Sequence, residues 1–386
     1  MEVDVVIVGA GVVGLSLALV LGQQDYRVLL IEQRKDFSIP DDFEARTLAL
    51  SYSSKKIFES LSVWQSLANH AVPIEQVVVS MKGQYGTTRL NTPTEYDALG
   101  YVVGANRLEQ ILQDKLLSLP NVKLLSNSRV ISRQSTMQHW SLMIEGLNEA
   151  VSCQLLVGAD GAQSQLRQEQ QITSSRYDYQ HFALVVNLEI PALRPFTAIE
   201  RFLPKGAIAL LPWQNKSVTC VITTSEEEAL MLKDLSLPDF LAQCEAKLGK
   251  RLGKITKASK RYVFPLVMTL ADSQCAARFL LMGNAAHNLH PIAAQGFNLS
   301  MRDIWQLHSQ IIKSKARCDL GSQGFLQEYA NARKTDQHRV IFATDKIAKL
   351  MSGNVIPAPL RAMGITLFDS MSPLKNGFVH FAMGLP

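Results

Sequence analysis

The chain has 386 residues, of which 47% are hydrophobic and 19% are charged, a composition that excludes an intrinsically disordered protein. This length is enough for two or three domains with a large core. The net charge of +5 is modest and forms no cluster of Lys and Arg, so nucleic acid is not an expected partner. The five scattered cysteines include no CxxC pair, which is typical of reduced thiols in a cytoplasmic protein.

The first elements of the chain predict a βαβ unit. Residues 3–8 are a β-branched run typical of a buried parallel strand, residues 12–23 have helical periodicity, and residues 27–32 predict a second strand. The following predicted elements are a helix at about 54–68, sheet segments at 76–81 and 87–91, a helix at about 106–118, a strand pair across 122–145 and a buried strand at 155–161.

A glycine motif joins the first strand to the first helix. In this GxGxxG pattern, Gly9 permits a tight turn, Gly11 lets backbone amides approach a pyrophosphate, and Gly14 lets the helix pack closely on the strand. Glu32, at the end of the second strand, is placed to accept hydrogen bonds from ribose hydroxyls and disfavours the 2′-phosphate of NADP. The motif predicts a site for FAD or NAD, although a glycine-rich turn without a ligand would have the same pattern.

The middle of the chain is predicted to be rich in β-strands. Residues 178–268 contain short β segments around one predicted helix at 238–249, and an apolar strand at 279–285 then leads into mostly helical sequence. The predicted fold class is α/β, with a Rossmann-like FAD/NAD(P)-binding domain, an inserted antiparallel β-sheet substrate domain and a C-terminal helical region. The predicted boundaries are 1–75, 101–177 and 269–310 for the discontinuous FAD-binding domain, 76–100 and 178–268 for the β-rich substrate domain, and 311–386 for the helical region.

Two later segments carry polar residues at the ends of predicted strands. Asp160 and Gly161 follow one buried strand, a pattern that an ordinary turn would also explain. Residues 283–298 combine a strand end, a loop containing Pro291 and a helix expected to start near Phe297. The free N–H groups and positive dipole of such a helix would stabilise a reduced, anionic flavin, whereas a polar loop before a helix is the purely structural alternative.

Several segments closely resemble the FAD-dependent aromatic hydroxylases of ubiquinone biosynthesis, which belong to the p-hydroxybenzoate-hydroxylase-like flavoprotein monooxygenases. The resemblance spans nearly the whole chain and is carried by GAGVVGLSLA at 9–18, GADG at 158–161 and GNAAHNLHPIAAQGFNLSMRD at 283–303. The segments EARTLALSYSSKKIFESLSVWQSL at 44–67 and YDALGYVVGANRLEQIL at 96–112 are most similar to the 2-polyprenyl-6-methoxyphenol hydroxylase branch.

The resemblance implies an enzyme in which NADPH reduces FAD, O₂ adds to the flavin as a C4a-hydroperoxide, and one oxygen atom is transferred to the ring of a polyprenylated phenol. It implies a catalytic loop with Pro291, Gln295 and Gly296 beside the flavin ring. No metal site is expected, because no further Cys, His or acidic cluster accompanies His287 and His290. The residues implied to bind the cofactor are Gly9, Gly11, Gly14, Glu32, Arg46, Arg107, Asp160, Gly161, Gly283, Asn284, Pro291, Gly296 and Asn298.

The chain departs from the family pattern at two positions. Asn284 stands where the broader family has Asp, although Asn is familiar in the branch named above, and Ala294 replaces the usual Gly of the loop. Two other functions stay open, the first because of these departures and the second because reductases share the GxGxxG motif. One is a non-catalytic flavin-binding scaffold subunit of a ubiquinone-biosynthesis assembly, and the other is an FAD-dependent reductase that inserts no oxygen.

The expected partners follow from the same resemblance. The ring of the substrate is expected between the β-rich domain and residues 291–298, with an apolar tunnel for the prenyl tail. The cations scattered through the C-terminal third are compatible with a solvated helix surface or with contact to the inner membrane. A cytoplasmic protein, or one peripheral to the inner membrane, is expected, and other ubiquinone-biosynthesis proteins or a second copy of the chain are left open as partners.

Overall fold

The strands and helices below come from a computed structural model that describes residues 1–35, 37, 41, 43–214, 216–249, 253–314, 317–351 and 357–385. The strands are β1 (Glu2–Val8), β2 (Val28–Ile31), β3 (Thr47–Ser51), β4 (Val72–Ile74), β5 (Gln76–Met81), β6 (Thr87–Asn91), β7 (Gly100–Gly104), β8 (Val122–Leu125), β9 (Val130–Ser135), β10 (Trp140–Ile144), β11 (Val151–Gly158), β12 (Ser174–Glu189), β13 (Thr197–Phe202), β14 (Ala207–Pro212), β15 (Ser217–Thr224), β16 (Lys257–Ala258), β17 (Tyr262–Ala271), β18 (Cys275–Ala276), β19 (Phe279–Leu281) and β20 (His287–Asn288). The helices are α1 (Val12–Gly22), α2 (Tyr52–Ser60), α3 (Trp64–Leu67), α4 (Ala105–Leu117), α5 (Gln165–Glu169), α6 (Glu226–Asp234), α7 (Leu237–Leu248), α8 (Gln295–Lys313), α9 (Gln323–Met351), α10 (Ala358–Ser370) and α11 (Ser372–Met383).

The first sheet is built around β1. Its main strand order is β8, β2, β1, β11, β19 and β18, and the pairs from β8 to β19 are parallel. One face packs on α1, α4 and α8 through Val5 and Ile7, and the other packs on β10 and α5 through Val6. Because helices and strands cover both faces, the central strands are continuous apolar runs rather than alternating ones. Because β1, β11 and β19 are parallel, their carboxyl ends share one edge of the sheet.

The second sheet has the order β20, β17, β12, β15, β14, β13, β5 and β6, with β16 beside β12. Its pairs are antiparallel except that β13 runs parallel to β5. The expectation of an antiparallel sheet is therefore wrong for this one pair, because β5 comes from an earlier excursion of the chain and is not joined to β13 by a hairpin. One face packs on α6 and α7, and the other faces the C-terminal helices.

The α/β fold class and the C-terminal helical region are confirmed. Some predicted elements are corrected by local backbone conformation. The helix expected at 54–68 is divided into α2 and α3 at Ser62, which has a φ of +57°. The strand expected at 279–285 ends at Leu281, because Gly283 takes a φ of +65° and begins a 3₁₀ turn. Helix α6 was missed, and α8 begins at Gln295 rather than near Phe297.

A small third sheet has the strand order β3, β7 and β4. It connects the two larger sheets, since β3 packs on α8 and β4 contacts β14. Within the described ranges, none of the helices is both long enough and apolar enough to cross a lipid bilayer.

Candidate active site

Three motifs that are far apart in the sequence meet at one edge of the first sheet. The Ala159 N–H donates to the Val8 carbonyl at 2.8 Å, and the Met282 N–H donates to the Gly158 carbonyl at 2.9 Å. A Cβ atom on Gly9 would lie only 2.3 Å from the Ala159 carbonyl oxygen. This edge lies beyond the carboxyl ends of parallel strands, which is where open α/β sheets bind ligands.

The turn between β1 and α1 has the form that a pyrophosphate requires. Gly9 has a φ of +105°, and a Cβ on Gly14 would lie 1.9 Å from the Gly9 carbonyl oxygen, so helix and strand are in close contact there. By contrast, no described atom lies within 4 Å of a Cβ built on Gly11. None of the described side chains caps the start of α1, and its first turn holds no acidic residue. The first N–H groups of α1 are thus left for an anionic ligand.

Glu32 lies beside this turn as an ionised acceptor. Its carboxylate accepts hydrogen bonds from the N–H groups of Ala10 and Arg34, both at 2.9 Å. Burial opposes ionisation, but the hydrogen bonds from Arg34 and Ala10 hold the pKa of Glu32 below its ordinary value. The Arg34 guanidinium pairs with Glu32 at 3.2 Å and with Glu109 at 3.1 Å. The charge of Arg34 is therefore compensated by two carboxylates within the protein.

The other two motifs add polar groups at the same edge. Asp160 accepts the Leu166 N–H through one oxygen at 3.2 Å, while its other oxygen is buried without a partner in the described part of the chain. Such an atom is costly to bury, by about 1–3 kcal/mol, unless a ligand or water satisfies it. Gly161 has a φ of +86° and open space around it, and Asn284, next to Gly283, is exposed. These groups fit a polar cofactor.

Two predicted arginines lie close together, Arg46 just before β3 and Arg107 in the first turn of α4. The carbonyl of Arg46 accepts the Ala105 N–H at 2.7 Å, which places the exposed Arg46 beside the first turn of α4, where Arg107 is found. Arg107 donates to the Gln110 side chain at 2.8 Å, and its Nε is buried with no partner among the described residues. This unsatisfied donor is consistent with a bound group that the protein alone does not supply.

The turn before α8 has a strained backbone. Ala293 and Ala294 have φ values of +56° and +50°, in the left-handed region that disfavours residues with a Cβ by about 1–2 kcal/mol each. This conformation explains why the family pattern has Gly where this chain has Ala294. The turn leads directly into α8, so the first N–H groups of the helix, including that of Gly296, lie beside it.

Asn298 fixes this turn against the rest of the protein. Its amide donates to the carbonyls of Ala294 at 2.7 Å and Ala49 at 3.0 Å. Its oxygen accepts the Ser51 N–H and the Ser54 hydroxyl, both at 2.8 Å. All of the hydrogen-bonding capacity of the Asn298 side chain is therefore used within the protein.

Gln295 connects the turn to the last helix. Its side chain is buried and donates to the carbonyls of Ala293 at 3.1 Å and Ala382 at 3.4 Å. Its side-chain oxygen is buried without a partner in the described ranges. Pro291, at the start of the turn, is exposed. The contact with α11 was not foreseen, because no local pattern in the sequence relates residue 295 to residue 382.

An apolar cavity of about 650 Å³ extends from this turn. One wall is the face of the second sheet formed by β5, β6, β13, β14 and β15, and another is the turn itself, as expected from the sequence. A third wall comes from α9, α10 and α11, through residues such as Ile347, Ile365 and Phe378. The sequence interpretation missed this third wall, because it assigned the C-terminal helices only to solvent or to a membrane surface.

A few polar groups interrupt the apolar lining near the turn. The Tyr179 hydroxyl donates to Asp345 at 2.9 Å, and the Tyr179 ring lies edge-on to His290 with 4.8 Å between ring centroids. Burial, together with the nearby His181, lowers the pKa of His290 to about 4. His290 is therefore neutral at physiological pH. It accepts the Ile292 N–H at 3.1 Å, which helps to hold the turn.

Comparison with known proteins agrees with this geometry. A family model described as an FAD binding domain matches residues 2–342. The ubiquinone hydroxylase UbiL of Rhodospirillum rubrum is 28% identical, with 99% of this chain and 89% of UbiL covered. The ubiquinone hydroxylase UbiM of Neisseria meningitidis serogroup C is also 28% identical, with 97% and 83% covered.

Among solved structures, Pseudomonas aeruginosa PqsL in complex with 2-aminobenzoylacetate has a TM-score of 0.80 at 20% identity, with 95% of this chain and 99% of PqsL covered, which shows a shared fold. The resemblance to FAD-dependent hydroxylases that the sequence motifs indicated is confirmed. The chain belongs to the FAD binding domain family, and its cofactor is FAD.

Proposed function

We propose that this protein is an FAD-dependent monooxygenase that hydroxylates the aromatic ring of a polyprenylated phenol in ubiquinone biosynthesis. The observation that carries the proposal is the apolar cavity of about 650 Å³ that adjoins the turn before α8. Its size lies within the usual range of about 300–1,000 Å³ for ligand pockets. Its walls suit a ring with an apolar tail, and both relatives named above are called ubiquinone hydroxylases.

Bound FAD supplies the oxygen-transfer chemistry, and the chain positions it. The N–H groups at the start of α1, beside Gly11, would hold the pyrophosphate, and Glu32 would accept hydrogen bonds from the ribose hydroxyls. The positive end of α8 would face the flavin ring and would favour a negative charge there by about 0.3–1 kcal/mol. The residues proposed to hold FAD are Gly9, Gly11, Gly14, Glu32, Arg46, Arg107, Asp160, Gly161, Gly283, Asn284, Pro291, Gly296 and Asn298.

Residues near the turn have different roles in this proposal. Pro291 and Gly296 would lie beside the flavin ring, and the buried side chains of Gln295 and Asn298 hold the turn in position. The apolar walls exclude water from the reacting ring. NADPH is the proposed electron donor. The sequence has no second GxGxxG motif, which is compatible with a nicotinamide that binds only transiently.

The test uses the purified protein with FAD, NADPH and a short-chain prenylphenol. We expect the phenol to stimulate NADPH oxidation and a hydroxylated product to appear in mass spectra. A scaffold subunit would oxidise no NADPH, and a reductase would oxidise NADPH without adding oxygen to the phenol; either result would contradict the proposal. Quinone intermediates that accumulate in cells lacking the protein would identify the natural substrate.

Filling the cavity should separate substrate binding from cofactor binding. Ala209 lies on the sheet face that lines the cavity, so Ala209→Phe would occupy part of the space for the substrate. Overpacking of this kind costs about 1–3 kcal/mol, and we expect kcat/KM for the prenylphenol to fall by about tenfold or more. FAD content should not change. Ala332→Phe, on an exposed part of α9, is the control and should behave as wild type. Unchanged kinetics in Ala209→Phe would place the substrate elsewhere.

Peripheral contact with a membrane is part of the same proposal. On α10, Leu360, Met363 and Leu367 are more than half exposed, while Ile365 of the same helix lines the cavity. A bilayer surface against this side of α10 would deliver a prenylated substrate next to the cavity. We expect the protein to co-sediment with anionic vesicles and the double variant Met363→Glu, Leu367→Glu to stay in the supernatant. Equal sedimentation of the two proteins would exclude this contact.

A further inference from the structure

The sheet face that lines the cavity carries one carboxylate in its centre. Five neighbouring strands, β6, β5, β13, β14 and β15, each contribute one residue to a row across this face. In that order the residues are Thr88, Val79, Glu200, Ala209 and Val221. Each of these residues is paired in register with the next, and all five line the cavity. The Thr88 hydroxyl is already bonded to Asp369 at 2.7 Å. Glu200 therefore stands between Val79 and Ala209, on a surface that is otherwise suited to hydrocarbon.

Nothing in the described part of the protein compensates the Glu200 carboxyl group. No described residue donates a hydrogen bond to it or forms an ion pair with it. Glu200 is half-buried and lines the cavity, and burial raises the pKa of its carboxyl group from the ordinary 4.5 to about 7. The other titratable or charged groups that line the cavity are Tyr179, His181, His290 and Arg361. An unpaired carboxyl group at such a position is costly to bury, which indicates a partner that arrives with the substrate.

We propose that Glu200 is a catalytic residue that binds the hydroxyl group of the phenol substrate and accepts its proton during oxygen transfer. The inference rests on the proposed function and adds to it the group that recognises the phenol. A phenol is a hydrogen-bond donor attached to an apolar ring. It is therefore complementary to a lone acceptor on an apolar wall.

The proton transfer accompanies the formation of the new C–O bond. As the ring π electrons form the new C–O bond, the phenol O–H bond breaks, its proton passes to Glu200, and its electron pair forms a C=O bond. The O–O bond of the oxygen donor breaks, and its electron pair leaves with the departing oxygen. The ring carbon then loses its proton to the carbonyl oxygen, which restores the aromatic ring as a diol. The departing oxygen gains one proton, which balances the proton that Glu200 accepted, and the Glu200 carboxylate is regenerated.

Glu200→Gln tests the proton transfer because it keeps the shape of the side chain but cannot accept a proton. We expect FAD content to be unchanged and the rate of hydroxylation to fall by about 100-fold, the lower part of the usual range for a general base. Wild-type activity should rise with pH through about 7, where Glu200 ionises, and this rise should be absent in the variant. Thr223→Val, on the same sheet face, is the control and should keep the wild-type pH profile.

Two further measurements do not depend on turnover. Wild type should bind a prenylphenol more tightly than its methyl ether, which has no hydroxyl to donate, and Glu200→Leu should lose this preference. Glu200→Gln should also melt at a higher temperature than wild type at pH 8. Because the folded pKa of Glu200 is raised, the carboxylate destabilises the fold above pH 7, and this penalty disappears as the pH falls below the unfolded value near 4.5.

The outcomes distinguish this inference from the proposed function. If wild type hydroxylates the phenol and Glu200→Gln does so at the same rate with the same pH profile, the inference is wrong and the function stands. Equal affinity of wild type for the phenol and its methyl ether would also overturn it. A wild-type protein that hydroxylates no prenylphenol would overturn both.

Discussion

Gly11→Asp is expected to yield a folded protein that holds no FAD. A Cβ at this position meets no described atom within 4 Å, and the backbone φ of −72° suits any residue. Asp is also among the preferred residues at a helix N-cap, which is where Gly11 stands, so the fold of the FAD-free protein should not suffer. In the complex, however, the new carboxylate would occupy the space of the pyrophosphate and repel its charge. The flavin absorbance of the purified variant measures the loss.

The neighbouring glycine provides the matched control. In Gly14→Ala, the new Cβ would lie 1.9 Å from the Gly9 carbonyl oxygen, so α1 must move away from β1. We expect Gly14→Ala to lower the melting temperature of the FAD-free protein, whereas Gly11→Asp leaves it close to that of wild type. A Gly11→Asp protein that is purified yellow, with a normal FAD content, would exclude the pyrophosphate from this turn.

Asp303→Ala is expected to lower the free energy of unfolding by about 3–5 kcal/mol, because it removes the fully buried carboxylate that pairs with the buried guanidinium of Arg333. Asp303 is fully buried on α8 and accepts from Arg333 Nε at 2.5 Å and from Gln337 at 2.9 Å. It also pairs with His287 Nε2 at 2.6 Å. These contacts hold α8, α9 and β20 together directly behind the turn. Urea unfolding of the variant and of wild type, both without FAD, measures the difference.

Asp336→Ala is the control, since Asp336 also pairs with Arg333 but is one-third exposed. Its cost should be clearly smaller. Burial alone would raise the pKa of Asp303, but His287 and Arg333 hold it below its ordinary 3.8. The stability that this carboxylate contributes is therefore present above pH 3.8 and is lost as the pH falls through the lowered value. If Asp303→Ala loses no more than Asp336→Ala, the buried network does not support the turn as we describe.

The cofactor edge could be predicted from the sequence because each of its requirements is local. Gly9, Gly11 and Gly14 each satisfy one steric requirement of a strand–turn–helix unit, and Glu32 follows at the end of the next strand. Their positions depend only on the βαβ unit, whose apolar runs are evident. The role of the Asn298 side chain could not be predicted from the sequence, because its partners Ala49 and Ser51 are about 250 residues away in the chain.

The substrate cavity shows where sequence reasoning stops. The alternation of Ala198, Glu200 and Phe202 on one face of β13 contained a signal, since a carboxylate there interrupts an apolar face. That signal has meaning only when the opposite wall is known to be apolar as well. The wall is formed by α10 and α11, more than 150 residues later, and no periodicity in the sequence specifies that packing. The left-handed conformation of Ala293 is equally invisible, because Ala rarely adopts it.

The most direct test of the central claim is to follow the source of the oxygen atom. The purified protein with FAD, NADPH and a prenylphenol is supplied with ¹⁸O₂ in ordinary water, and the product is analysed by mass spectrometry. We predict that one ¹⁸O atom is incorporated into the ring of each product molecule and that none comes from ¹⁸O-labelled water in the reverse experiment. A product without label from O₂, or a phenol returned unchanged while NADPH is consumed, would contradict the account.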